Sequence, residues 1–294
     1  MDVGAQPVSR LRGLSLSTEW FRRLVVANVG MLILIVATGT TVRLTGSGLG
    51  CEHWPGCQAH HFEPRSFHGA IEFSNRVVAS LTILTTLVTL YFARGRRLLA
   101  GLVAAGALAQ APLGAITIHY HLNPWLVLSH FLLSIVVISV AVILAAEAWP
   151  RERTRLPQWV PWAGLVVGLS ACVLIVSGTL ATASGKYPGS NGDTIVPRVW
   201  AFESAVYWHV RATAVFGVSF ALVLLWLVRE RAPQMRGALV LLGLLAVQMT
   251  IGEVQYRTHL PWWLVLVHVT VAATVWCAVT AFVFSLWRPR RMTA

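Results

Sequence analysis

The sequence predicts an all-α membrane protein of eight transmembrane helices, arranged as two tandem four-helix bundles related by a pseudo-twofold axis along the membrane normal. Three observations predict it. The 294 residues are 56% hydrophobic and only 12% charged, too apolar for a soluble domain of that size. Eight apolar runs each offer roughly the 20 residues that cross a bilayer as a helix. One stretch is also written twice: residues 110–130, QAPLGAITIHYHLNPWLVLSH, and residues 248–268, QMTIGEVQYRTHLPWWLVLVH, coincide without a gap at nine of 21 positions. An echo of that period signals internal duplication. Because the repeated unit holds four spans, an even number, both halves enter the membrane in the same orientation.

In chain order, a polar segment of twenty residues precedes the first run, 24–43. That run has full spanning length and no small-residue cleavage site at its end, so it reads as a retained helix and not a signal peptide. The others are 69–93, 98–118, 125–149, 160–183, 201–228, 237–256 and 262–287. Basic residues cluster between them: Arg10, Arg12, Arg22 and Arg23; Arg94, Arg96 and Arg97; Arg151, Arg153 and Arg155; Arg229, Arg231 and Arg236; Arg288, Arg290 and Arg291. All five clusters fall on one side of an eight-span topology. The positive-inside rule therefore puts both termini in the cytoplasm and the chain in the cell membrane. The same clusters account for the net charge of +12; they form no stripe with interleaved aromatics, which argues against nucleic acid as a partner.

A weaker echo supports the duplication. Ala37-Thr38-Gly39-Thr40 with Thr45-Gly46 resembles Val176-Ser177-Gly178-Thr179 with Ser184-Gly185, while the second span of each half matches poorly. The basic loop at 150–159, with Pro150 and Pro157, divides an amino-terminal half, 1–149, from a carboxyl-terminal half, 150–294.

The polar residues inside the spans carry the chemistry, since each is costly in lipid. His130 and His268 occupy equivalent places in the two copies, and His209 lies at a similar depth. With ~1.5 Å of rise per residue, His130 sits ~9 Å below the outer end of its helix. The bland reading is a histidine hydrogen-bonded between helices. The functional one is haem held by histidines of facing helices, because imidazole suits iron. Glu72, three residues into its span, shares a helix face with His68, Asn75 and Arg76. It is either a structural carboxylate paired with Arg76 or a proton acceptor beside a reacting centre. Cys51 and Cys57 lie in an outer, oxidising loop, where a disulfide is expected; free thiols or a metal site with His53 are the alternatives. Cys172 and Cys277 read as small core residues.

Together these features resemble the heme A synthase family, eight-span enzymes that oxidise a methyl group of heme O to a formyl group. The resemblance spans roughly residues 20 to 287. It is carried by RLTGSGLGCEHWPGC after the first span, EFSNR, the WLVLSH and WLVLVH copies, and VYWHVRA. It implies that His209 and His268 ligate a resident haem b, that His130 is a substrate-side ligand and that Glu72 is the catalytic carboxylate. Cys51 and Cys57 match the family's outer-loop pair. The implied reaction is successive hydroxylation of one methyl group followed by loss of water, yielding heme A for terminal oxidase assembly. Implied partners are heme O, the enzyme that produces it, and a thiol-disulfide or electron-transfer partner on the outer face.

Two departures from the family pattern stand out. Many members have a histidine three residues after the glutamate, where this chain has Asn75, and a second cysteine pair in a loop where residues 184–200 have none. His68, two helical turns before Asn75, is the expected replacement ligand for the substrate's iron. Capping of the loop is its other reading, with His60 and His61 as less constrained alternatives. Two rival functions remain: a b-type cytochrome that transfers electrons without modifying haem, which has no need of Glu72 or the loop cysteines, and a transporter, which parallel repeats alone would fit.

Overall fold

Among the described residues eight helices follow one another: α1 (Thr18–Leu44), α2 (Phe67–Phe92), α3 (Arg97–His119), α4 (Pro124–Glu147), α5 (Trp159–Ser184), α6 (Phe202–Arg229), α7 (Met235–Arg257) and α8 (Trp262–Trp287). The computed structural model describes residues 16–51, 53–58, 62–149, 156–191 and 195–287. Arg10, Arg12, His60, His61, the loop arginines Arg151, Arg153 and Arg155, and Arg288, Arg290 and Arg291 lie outside the described residues, as does most of the expected boundary between the halves. All eight helices are long and apolar enough to cross a membrane, so this is a multi-pass membrane protein.

Seven of the helices begin and end within two residues of the expected spans. The exception is α1, which starts six residues early at Thr18. Local chemistry extends it: Ser17 accepts the Trp20 amide (3.4 Å), and Glu19, in the first turn, pairs with Arg23 one turn on (3.3 Å). Elsewhere Ser66 caps α2 by accepting the Gly69 amide (2.9 Å), and Asn123 caps α4 just before Pro124.

Helices α1 to α4 form a closed ring, each packed on the next and α4 on α1; α5 to α8 do the same. The rings meet where α4 packs on α8, flanked by α1 on α8 and α4 on α5. One apolar cluster runs through this seam and joins Leu32 and Val36 of α1, Ile135 and Ile138 of α4, Val167 of α5 and Trp276 of α8. The Trp276 indole N–H donates across it to Ser139 Oγ (2.8 Å), also lying 3.2 Å from the Ile135 carbonyl. In lipid such a donor has no water to turn to, so a partner on the other half fixes how the halves meet.

The turns that follow α3 and α7 share one backbone conformation. His121 and Leu122, joining α3 to α4, have φ of 50° and 58°; His259 and Leu260, joining α7 to α8, have 61° and 58°. Each turn closes with the same bond, the Leu122 amide to the Thr117 carbonyl (2.9 Å) and the Leu260 amide to the Gln255 carbonyl (2.8 Å). Two consecutive non-glycine residues in the left-handed region are uncommon.

At this end of the rings the loops after α1 and α5 are tied together. The Gly48 amide donates to the Gly189 carbonyl (2.8 Å) and the Asn191 amide to the Gly46 carbonyl (2.9 Å), around a bridge between Ser47 and Ser190. Arg43 reaches over from α1 to the carbonyls of Tyr187 (3.1 Å) and Thr182 (3.0 Å). Gly46 (φ 70°) and Gly189 (φ 104°) supply the backbone angles this crossing needs.

Candidate functional site

In the second half, two histidines lie against glycines of neighbouring helices. A Cβ on Gly178 would stand 2.9 Å from Cε1 of His209, and one on Gly252 3.0 Å from Cε1 of His268. A side chain at either glycine would press on the neighbouring ring, more tightly at Gly178 than at Gly252. His209 Nδ1 is 3.1 Å from Ser177 Oγ, and Ser177 donates its only hydroxyl hydrogen to the Leu174 carbonyl (2.8 Å). Nδ1 must then be the donor in the first contact, which leaves Nε2 with a free lone pair. That is how a metal-ligating histidine is prepared: the second nitrogen holds a hydrogen bond that sets tautomer and ring orientation. His268 has its Nε2 3.2 Å from Gln248 Nε2, and its Nδ1 is buried with no hydrogen-bond partner. Because the Gln248 NH₂ can only donate, His268 Nε2 accepts and Nδ1 carries the hydrogen, so His268, like His209, offers its lone pair at Nε2. Two imidazoles of that tautomer in one helical ring, each beside a position without a Cβ, fit a haem iron once the Gln248 amide gives way.

The first half repeats the frame with changes. His130 lies against Gly114, whose added Cβ would be 3.5 Å from Cε1, and its Nδ1 is buried without a partner. Gln110 corresponds to Gln248, and its amide reaches the His130 carbonyl (3.2 Å) as Gln248 reaches that of His268 (3.1 Å). Its other contact is Ser134 Oγ (2.7 Å) and not the ring. The second half has Ala272 where the first has Ser134, and the hydroxyl draws the amide away from the imidazole. At the place of His209 stands Asn75: Thr38, matching Ser177, donates to Asn75 Oδ1 (2.7 Å), and a Cβ on Gly39, matching Gly178, would be 3.8 Å from that oxygen.

Glu72 is buried at 4% exposure and ties two things together. One oxygen is 2.5 Å from Arg76 and the other accepts the Cys51 amide (2.9 Å). Arg76 also donates to the carbonyls of His53 (2.7 Å), Pro55 (3.1 Å) and Gly56 (2.5 Å). Cys51 and Cys57, both buried, form a disulfide that closes this loop, which settles the open choice against free thiols and against a metal site with His53. The Cys51 sulfur rests 3.6 Å from the Gly69 carbonyl of α2; a disulfide has no S–H, so this is packing and not a hydrogen bond. Close approach continues at Gly50, where a Cβ would meet the His68 carbonyl carbon at 2.5 Å. The structure thus brings Glu72, Arg76, the disulfide and His68 together at one end of the first ring.

His68 is engaged on both sides. Thr45 donates to the Thr41 carbonyl (2.8 Å), so Ser47 donates to Thr45 (2.8 Å) and accepts from His68 Nδ1 (2.9 Å). Asn191, from the second half, donates to His68 Nε2 (3.2 Å) and to the Thr45 carbonyl (3.0 Å). Ligation by His68 would require one of these bonds to open. Sequence reasoning did not find the three-carbonyl clamp of Arg76, the second-half partner of His68, or the equivalence of Asn75 and His209. A signal for the last existed in the hydroxyl-glycine pairs Thr38-Gly39 and Ser177-Gly178, which flank those side chains.

A family model described as cytochrome oxidase assembly protein (COX15-CtaA) matches residues 22–68 and 60–280. The chain is 28% identical over 262 residues to the heme A synthase of Symbiobacterium thermophilum, covering 79% of this chain and 84% of that protein. It is 24% identical over 314 residues to the heme A synthase of Shewanella oneidensis, covering 89% and 95%. The heme A synthase of Lysinibacillus sphaericus is 29% identical over 145 residues, 46% of each chain.

Proposed function

Since the chain belongs to the COX15-CtaA family of heme A synthases, membrane oxidoreductases acting on heme O, we propose that its two halves divide the labour of that reaction. The second half holds a resident haem b through His209 and His268. The first half binds heme O beside His130 and presents one methyl group for oxidation to a formyl group. The observation that carries this reading is the unequal duplication. One frame of histidine, glutamine and glycine occurs twice, yet the position that His209 fills in the second half is Asn75 in the first, so the two haem places are not equivalent.

Each remaining residue has a task in this reading. When bound, the resident haem supplies one-electron redox chemistry. Glu72 stays oriented because Arg76 and the Cys51 amide each take one of its oxygens. Every carboxylate oxygen has two lone pairs, so one on each remains for a proton from the substrate side. The disulfide loop covers this end of the ring; with both sulfurs buried, a thiol-disulfide partner reaches them only once the loop opens, whereas exposed Trp54 gives an electron-transfer partner a surface to meet. His130, with no partner on Nδ1, is the substrate-side ligand. By the positive-inside rule the arginine clusters support a cytoplasmic side for both termini and an outer face for the disulfide end. The matching αL turns and helix neighbours support a pseudo-twofold axis between halves 1–149 and 150–294.

A b-type cytochrome would keep His209 and His268 but leave unexplained a buried glutamate bonded to a disulfide loop. Pigment extraction separates the two. Cells that make heme O and express this chain should accumulate heme A, and unchanged heme O in cells holding the folded, haem-loaded protein would leave only the cytochrome.

A further inference from the structure

The two halves differ at the position shared by Asn75 and His209, and the difference bears on how the first half treats iron. A carboxamide is a poor iron ligand beside imidazole. Thr38 has one hydroxyl hydrogen, and its 2.7 Å contact to Asn75 Oδ1 is much shorter than the 3.3 Å contact to the Ile35 carbonyl. The hydrogen therefore goes to Oδ1, and Asn75 turns its Nδ2 away from Thr38. That NH₂ has no hydrogen-bond partner among the described residues. His130 keeps its ring clear of Gln110, which is held by Ser134. His68 has given Nδ1 to Ser47 and Nε2 to Asn191, in a network that also ties the loops of the two halves together.

We propose, on the reading given above, that the first half holds the heme O iron through His130 alone. The other axial position stays open to a small exogenous ligand, with Asn75 Nδ2 as hydrogen-bond donor beside it. The first-half haem is then ligand-accessible and high-spin, while the haem of His209 and His268 is six-coordinate and low-spin. Carbon monoxide for the ferrous state and cyanide for the ferric state are fitting probes, since both need an open axial site and bound cyanide accepts a hydrogen bond.

The experiment uses the full-length protein loaded with heme O, followed by optical and paramagnetic resonance spectra. The wild type should show one high-spin haem that binds carbon monoxide and one low-spin haem that does not. Asn75→His should convert the first to low-spin and weaken carbon monoxide binding by about tenfold or more, the range in which an internal ligand competes. Asn75→Leu should keep the site open but raise the cyanide Kd by about three- to tenfold, the worth of one lost hydrogen bond. The intact low-spin spectrum of the second half reports folding in every variant. A wild-type heme O that is low-spin and refuses carbon monoxide overturns the proposal. If His68→Ala then opens the site, His68 is the second ligand and the first-half reading itself stands. Heme O bound with an unchanged spectrum in His130→Ala would instead sink that reading. Equal cyanide affinity in wild type and Asn75→Leu would remove the donor role of Asn75.

Discussion

At the scale of single residues, neighbours decide what each polar side chain can do. Glu72 is held by Arg76 and the Cys51 amide, so Glu72→Gln keeps the shape and removes the charge. Heme A formation should fall by about 10²-fold or more, the usual loss of a proton-transferring group, while the resident haem spectrum is retained. Normal product yield would return Glu72 to a purely structural role. The glycines give a second test. Gly178→Ala drives a Cβ to within 2.9 Å of the His209 ring, while Gly39→Ala meets Asn75 Oδ1 at an ordinary 3.8 Å. The first should cost about 1–3 kcal/mol, as overpacking does, and shift the low-spin spectrum; the second should do neither. Thermal unfolding with spectra on both variants checks this, and equal behaviour would mean that the ring has room to move.

At the scale of elements, the repeated turns are the most constrained pieces of backbone. Leu122 has φ of 58° and is buried, with its side chain against the loop positions Gly48 and Gly189. Leu122→Val should destabilise strongly for two reasons. A β-branched residue resists the left-handed region at ~1–2 kcal/mol, and the shorter side chain loosens contact with both loops. Leu122→Asn tolerates the angle but loses the packing, so it separates the causes. If the valine variant melts like wild type, the turn is not under the constraint described. The resolved choice at Cys51 and Cys57 belongs to this scale as well. The Arg76 fork turns one nitrogen, Nη1, to the loop carbonyls and the other, Nη2, to Glu72, a division that the single nitrogen of a lysine cannot reproduce.

At the scale of the whole molecule, the halves are joined twice, by an apolar seam inside the spans and by the loop crossing at the disulfide end. Trp276 is the polar pin of the seam. Halves expressed as separate chains, cut within 150–155, should copurify because the seam and the crossing are both non-covalent. Trp276→Phe should lower the melting temperature of that pair by an amount matching about 1 kcal/mol, one hydrogen bond. Halves that fail to associate would mean that the covalent link is needed for assembly.

The order of residues alone specifies the eight spans, because a bilayer demands a stretch of fixed length and low polarity and that demand is local. It also determined the pairing of His130 with His268, since the duplicated segments around them kept nine of 21 residues. Folding alone brings Asn75 to the place that His209 takes in the other half, because α2 and α6 share too little sequence to align. It also decided that His68 is bound to Ser47 and to Asn191. Residues 68 and 191 are far apart in the chain, and nothing in the periodicity of either segment records a hydrogen bond that forms only when the two halves pack.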